Sequence, residues 1–130
     1  MAVIDLRQLA FGWWERRQAR IERDRAVNQA QRLVEAAKAA LTGGSSNASA
    51  LLGRASEGLA GCLCWEHDPD LREINHLVVA AKEHLDWQAA DRAEEPLDLT
   101  LNRLGQLGPC PWCASRRETS AASPQTPVRA

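Results

Sequence analysis

Tyrosine is absent from this chain of 130 residues, phenylalanine and methionine occur once each, and lysine only at positions 38 and 82. A core so poor in aromatics has to be filled by aliphatic side chains, and 45% apolar residues suffice for one modest domain. Arginine supplies fourteen of the sixteen basic residues, the bias expected of a GC-rich coding sequence such as that of an actinobacterium or one of its phages. No apolar run reaches the roughly 18 residues a membrane-spanning helix needs. The opening MAVIDLRQLAFGWWERR also lacks the basic, apolar, small order of a secretory leader. A reducing cytoplasm is therefore the expected setting, and there paired cysteines hold metal more readily than they form disulfides.

An extended basic surface is missing as well. The net charge of -1 divides into +3 over residues 1–64 (nine bases, six acids), -7 over 65–99 (three, ten) and +3 over 100–130 (four, one). A general nucleic-acid binder draws its affinity from phosphate neutralisation along a basic face, so any such role here must be local. Its candidates are Arg16, Arg17, Arg20, Arg23 and Arg25, joined by Arg116 and Arg117 and diluted by Glu15, Glu22 and Asp24.

What the chain does have is four cysteines in two tight pairs, Cys62-Leu-Cys64 and Cys110-Pro-Trp-Cys113. Zinc takes four ligands in a tetrahedron, and a Cys-x2-Cys turn supplies two because its backbone curls around the ion. Cys110-Pro-Trp-Cys113 resembles the CPxC half of zinc ribbons and treble clefs, with Ala114 where a glycine often follows; the resemblance covers these few residues and implies no function. The other pair is one residue tighter, and Cys64-Trp-Glu-His67 offers a Cys-x2-His pair of ordinary length. Two ligand sets result: Cys62, Cys64, Cys110 and Cys113, which is favoured, or Cys64, His67, Cys110 and Cys113. Trp65 and Trp112, beside these ligands, are expected to shield the ion. CPWC is also similar to the CPYC of glutaredoxins and thioredoxin-like sites, which implies thiol-disulfide chemistry. That motif works between a strand and a helix N-terminus, whereas here a predicted helix precedes it and no strand pattern follows.

No alternation of apolar and polar residues appears anywhere, and the predicted fold is all-α. A first helix is read over residues 5–41, from the capping arrangement of Asp5 and Gln8 to the stop at Leu41-Thr42-Gly43-Gly44. Its apolar seam, Val27, Ala30, Val34, Ala37 and Leu41, is interrupted upstream by Arg16, Arg20 and Arg23, turns that are either solvated or opposed by an acidic partner. Residues 42–61 are a Gly, Ser and Ala-rich connection with a short helical stripe at Ala48, Leu51, Leu52, Ala55 and Leu59. Residues 1–41 thus form a helical arm that packs on the rest of the chain or pairs with another molecule.

Asp68-Pro69-Asp70 predicts a strong helix start, followed by the stripe Leu71, Ile74, Val78, Ala81 and Leu85. A further start is read at Pro96, with stops at Gly105, Gly108 and Pro109. The 45 residues from Trp65 to Pro109 exceed any ordinary finger spacer, so they must fold back to bring the cysteine pairs together. A helix from Pro69 to about Gln88 runs roughly 30 Å outward and one from Pro96 to Leu107 returns roughly 18 Å. The expectation is a hairpin over residues 62–113 whose base a structural zinc staples, and a polar tail over 114–130 too poor in apolar residues to order.

Trp13 and Trp14 cannot both face one side of a helix, so at least one is expected on a partner-binding surface, together with Arg16, Arg20 and Arg23. The functional expectation is a non-enzymatic, zinc-stabilised helical protein that binds another protein or itself, as a small regulator, inhibitor or assembly factor. The alternatives are a nucleic-acid-binding regulator and a thiol-disulfide protein.

Overall fold

The computed structural model describes residues 2–114, with side chains from residue 12 onward. Every regular element among them is helical: α1 (Ala2–Thr42), α2 (Ala48–Ala60), a 3-10 turn (Trp65–His67), α3 (Pro69–Asp86) and α4 (Ala90–Gly105). The expected tail from residue 115 onward lies outside the described residues.

Local chemistry explains three of the helix ends. Asp68 caps α3: its Oδ1 accepts the backbone N–H groups of Asp70 (3.1 Å) and Leu71 (3.4 Å), with Pro69 at the first helical position. α1 ends on the expected glycines. Gly44 takes φ +75°, a left-handed conformation that suits a residue without Cβ, and the N–H groups of Ser45 and Gly44 return to the carbonyls of Ala40 and Leu41. α3 ends on the same pattern, Ala89 bonding to His84 and Gln88 to Leu85, but its left-handed residue is Gln88 at φ 60°. A side chain there carries a cost of roughly 1–2 kcal/mol that glycine avoids.

Two boundaries differ from those predicted. α1 begins ahead of Asp5, at Ala2, so Asp5 is inside the helix. α4 begins at Ala90 and passes through Pro96. A proline in a helix interior forfeits one backbone bond, at a cost of about 3 kcal/mol. Buried Ala93, one turn upstream, joins Leu97 and Leu104 in the core and holds the first turns in place. The Thr100 hydroxyl donates to the Pro96 carbonyl at 2.6 Å, which satisfies a buried polar group inside the same turns.

Each helix packs on its neighbours in sequence, and α4 closes the ring against α1. The short connections 43–47 and 87–89 make successive helices antiparallel, and the Arg103–Glu73 ion pair (2.7 Å) sets the end of α4 beside the start of α3. The result is an up-down-up-down four-helix bundle. Its core joins Val34 and Ala37 of α1 to Leu52 and Leu59 of α2, Leu71, Ile74 and Val78 of α3, and Leu97 of α4. Each fully buried aliphatic side chain contributes roughly 1.5–3 kcal/mol.

The Val27–Leu41 seam is thus used within the chain, with Val27 and Leu41 packed against the buried cluster. Residues 42–61 divide into a short loop and α2, whose buried face carries Ala48, Leu52, Ala55 and Leu59. The bundle consequently has two ends. One gathers residues 61–68 and 106–114; the other gathers the turns at 43–47 and 87–89.

Candidate metal centre

At the first of these ends the topology brings three thiols together. The sulfurs of Cys64, Cys110 and Cys113 all lie within 4.8 Å of one another, and all three residues are buried. Cys64 arrives on the turn after α2, where the His67 N–H bonds back to its carbonyl and opens the 3-10 turn into Asp68. Cys110 and Cys113 arrive after α4 on a turn closed by the Ala114 N–H donating to the Cys110 carbonyl at 3.1 Å. Ala114 is itself buried and belongs to this turn rather than to the tail.

The spacing fits a tetrahedral ion. At Zn–S distances of about 2.3 Å, thiolates on a tetrahedron stand roughly 3.8 Å apart, so the trio needs to contract by no more than about 1 Å to bind. Burial pushes the Cys64 thiol well up, helped by the neighbouring Cys113 and Cys110. Burial likewise pushes Cys113 up to about 11, against the pull of a hydrogen bond from Cys64 and the positive charge of Arg23. Without a metal Cys64 and Cys113 stay protonated at neutral pH, and a divalent ion must displace their protons to bind.

Neither candidate for the fourth ligand is in the trio. Cys62 is buried, with its N–H bonded to the Leu59 carbonyl, but its sulfur stands outside the group. His67 is exposed, and its ring stacks on Trp112 with centroids 4.3 Å apart at 23°. Trp65 and Trp112 are both partly buried and pack against the buried cluster that includes the cysteines.

Two features were not legible in the spacing of the cysteines. The first is that α1 covers the trio: the Cys64 thiol donates to the Ala19 carbonyl at 3.8 Å, and Ala19 is fully buried. The second is Arg23, one turn further along α1 and only 7% exposed. Its Nε donates to Asp68 Oδ2 at 2.8 Å and its Nη2 to the Gly108 carbonyl at 2.8 Å. The acidic block from residue 65 to 99 pointed to such a partner without naming it. Arg23 therefore works inside the chain, while Arg16 and Arg20 are half-buried and Arg17 and Arg25 exposed. Trp13 and Trp14 keep 48% and 54% of their surface exposed, and the Arg17 guanidinium carbon lies 5.7 Å from the Trp13 ring centroid. Arg116 and Arg117 lie outside the described residues.

Burial pushes the Cys113 thiol of CPWC up, the opposite of the lowered thiol pKa that thiol-disulfide catalysis uses. No helix among the described residues is long and apolar enough to cross a membrane. Comparison of the chain with protein-family models, with curated proteins and with solved structures finds no match, and the functional reading rests on the geometry of these residues.

Proposed function

We propose that this is a non-enzymatic, zinc-stabilised helical protein that acts by binding another protein, with the ion held by Cys64, Cys110 and Cys113 and a fourth ligand drawn from Cys62 or His67. The observation that carries this reading is the buried trio of thiols within 4.8 Å, delivered by two segments more than forty residues apart in sequence. Three thiolates suit a soft or borderline ion, and an ion that closes so long a loop contributes folding energy directly. Trp13 and Trp14 favour the binding role. They are exposed on the stretch of α1 before Ala19, the first buried side chain described on that helix. Tryptophan at such a position supplies the large, rigid contact that anchors protein interfaces.

The test is elemental analysis of protein purified without added metal. The expected result is about one zinc per chain, released by Cys110→Ser. Fully folded, metal-free protein whose thiols all react with a thiol reagent overturns the reading.

A further inference from the structure

We propose that Arg23 is a positioning residue of the metal centre: it braces the two segments that deliver Cys64 and Cys110 at binding distance and counters the negative charge that the loaded thiolates carry. The inference rests on the trio being a metal centre. Its own support is the placement of Arg23. Asp68 is four residues after Cys64, and Gly108 is two residues before Cys110. One guanidinium bonds to both, at 2.8 Å each, and so ties together the same two segments that the ion would join.

Charge gives the second argument. Arg23 is 7% exposed and Asp68 1%, so each needs the other, and the pair alone is neutral. A buried ion pair adds little net stability over well-packed apolar groups, so stability alone is a weak reason to place an arginine on the core side of α1. A divalent ion with three thiolates carries one net negative charge, and a fourth thiolate would add another. Burying that charge is costly without a nearby cation, and Arg23 is a buried cation bonded to both segments that carry the thiols. Outer groups of this kind commonly set metal affinity as strongly as they set orientation. In the metal-free protein the Cys64 thiol bond to the Ala19 carbonyl puts α1 against the centre a second time, one turn before Arg23, and that bond is given up when Cys64 loses its proton to an ion. Metal loading and the seating of α1 are thereby linked through one helix face.

The test is titration of the full chain with cobalt(II), a spectroscopic stand-in for zinc, followed by its thiolate absorption in the wild type and in Arg23→Met, Arg23→Lys and Asp68→Asn. Arg23→Met is expected to weaken cobalt binding roughly 10- to 100-fold. Arg23→Lys keeps the charge without the fork and should recover part of the loss. Asp68→Asn keeps the helix cap, since asparagine caps as well as aspartate, and leaves the guanidinium uncompensated until the anionic centre forms. It should lower the unfolding midpoint of metal-free protein and weaken cobalt binding less than Arg23→Met does, since it removes one of the two brace bonds but keeps the cation.

That difference in size separates the proposal from a merely structural ion pair, whose two halves would weaken binding alike when removed. Binding in Arg23→Met equal to wild type, or weakened alike in Asp68→Asn and Arg23→Met, overturns it. If Arg23→Met does not fold, Arg23→Lys against Asp68→Asn decides: the lysine variant should be the weaker binder, and the reverse order contradicts the proposal. Wild-type protein that gives no thiolate absorption with cobalt removes the metal reading itself, an outcome distinct from unequal variants.

Discussion

The two ends of the bundle are closed by different means. At the far end, α1 and α3 stop on left-handed residues whose neighbours bond back into the last turn, at Gly44 and Gln88, and exposed contacts join the helices, Lys38 of α1 with Asp98 of α4 and Ser49 of α2 with Asp86 of α3. Those contacts are local or solvent-screened, and the surface pairs contribute little. At the other end two irregular segments, 61–68 and 106–114, meet through buried Cys64, Cys110 and Cys113 and the buried Arg23–Asp68 pair. The ties that bring the two segments together there, the approach of Cys64 to Cys110 and Cys113, the Arg23 bonds to Asp68 and Gly108, and the stack of His67 on Trp112, all join residues more than forty positions apart. The comparison teaches that one end of a bundle can close by turn chemistry and surface contacts, whereas the end with longer loops closes through buried side chains from distant segments, among them three thiols that could hold an ion.

The harshest way to break this contrast is to remove α1. A chain starting near Asn47 loses Val34 and Ala37 from the core and both the Ala19 and Arg23 contacts with the thiol end. It should show no cooperative unfolding transition by circular dichroism and should hold no metal; a folded, zinc-containing remnant would mean that the helix is an independent arm.

Cys110→Ser comes next. It should remove the ion and with it a metal-linked stabilisation on the order of 10 kcal/mol, so that chelation no longer shifts the unfolding midpoint of the variant. The far end offers the matching control, since Lys38→Ala should leave both the midpoint and its response to chelator unchanged.

Acidity sharpens the same contrast, with opposite signs in the two metal states. In chelated protein Cys113 is raised by burial from 9.0 to about 11, so the stability it contributes is present below pH 9 and is lost as the pH rises through about 11. In loaded protein the thiolates are already formed, and stability should instead fall on acidification as protons displace the ion. Urea midpoints across pH, with and without chelator, check both slopes.

Gln88→Gly is a smaller, local effect confined to the far end. Relief of the left-handed conformation should raise stability by about 1 kcal/mol without altering metal content. The smallest effect belongs to Trp13→Ala with Trp14→Ala, which should change stability by no more than about 0.5 kcal/mol while abolishing any association of the full chain seen by light scattering.

Much of this architecture can be read from residue order alone. Asp68-Pro69 marks the start of α3 because a capping carboxylate and a proline serve only that position, and Gly43-Gly44 marks the end of α1 for the complementary reason. The stripe at Ala48, Leu52, Ala55 and Leu59 identifies α2 within a segment whose composition otherwise reads as a linker. Pro96 misleads, because proline favours a first turn, but the burial of Ala93 outweighs that preference. The meeting of Cys64 with Cys110 and Cys113 follows from their pairing and from the need of the intervening helices to fold back. Cys62 does not join them in the structure, where its backbone N–H closes the end of α2 on the Leu59 carbonyl, a placement that its spacing from Cys64 does not reveal. The Arg23–Asp68 pair spans 45 positions and is a property of the packed bundle, beyond any local pattern.

Hydrogen exchange followed residue by residue, with and without a chelator, tests most directly the claim that an ion pins one end of this bundle. Protection should fall at residues 59–68 and 104–114 and on α1 around Ala19 to Arg23, while the turns at Gly44 and Gln88 and the adjoining ends of α2 and α3 keep theirs. Exchange that is identical in both conditions at the cysteine end, or that rises equally at both ends, would contradict it.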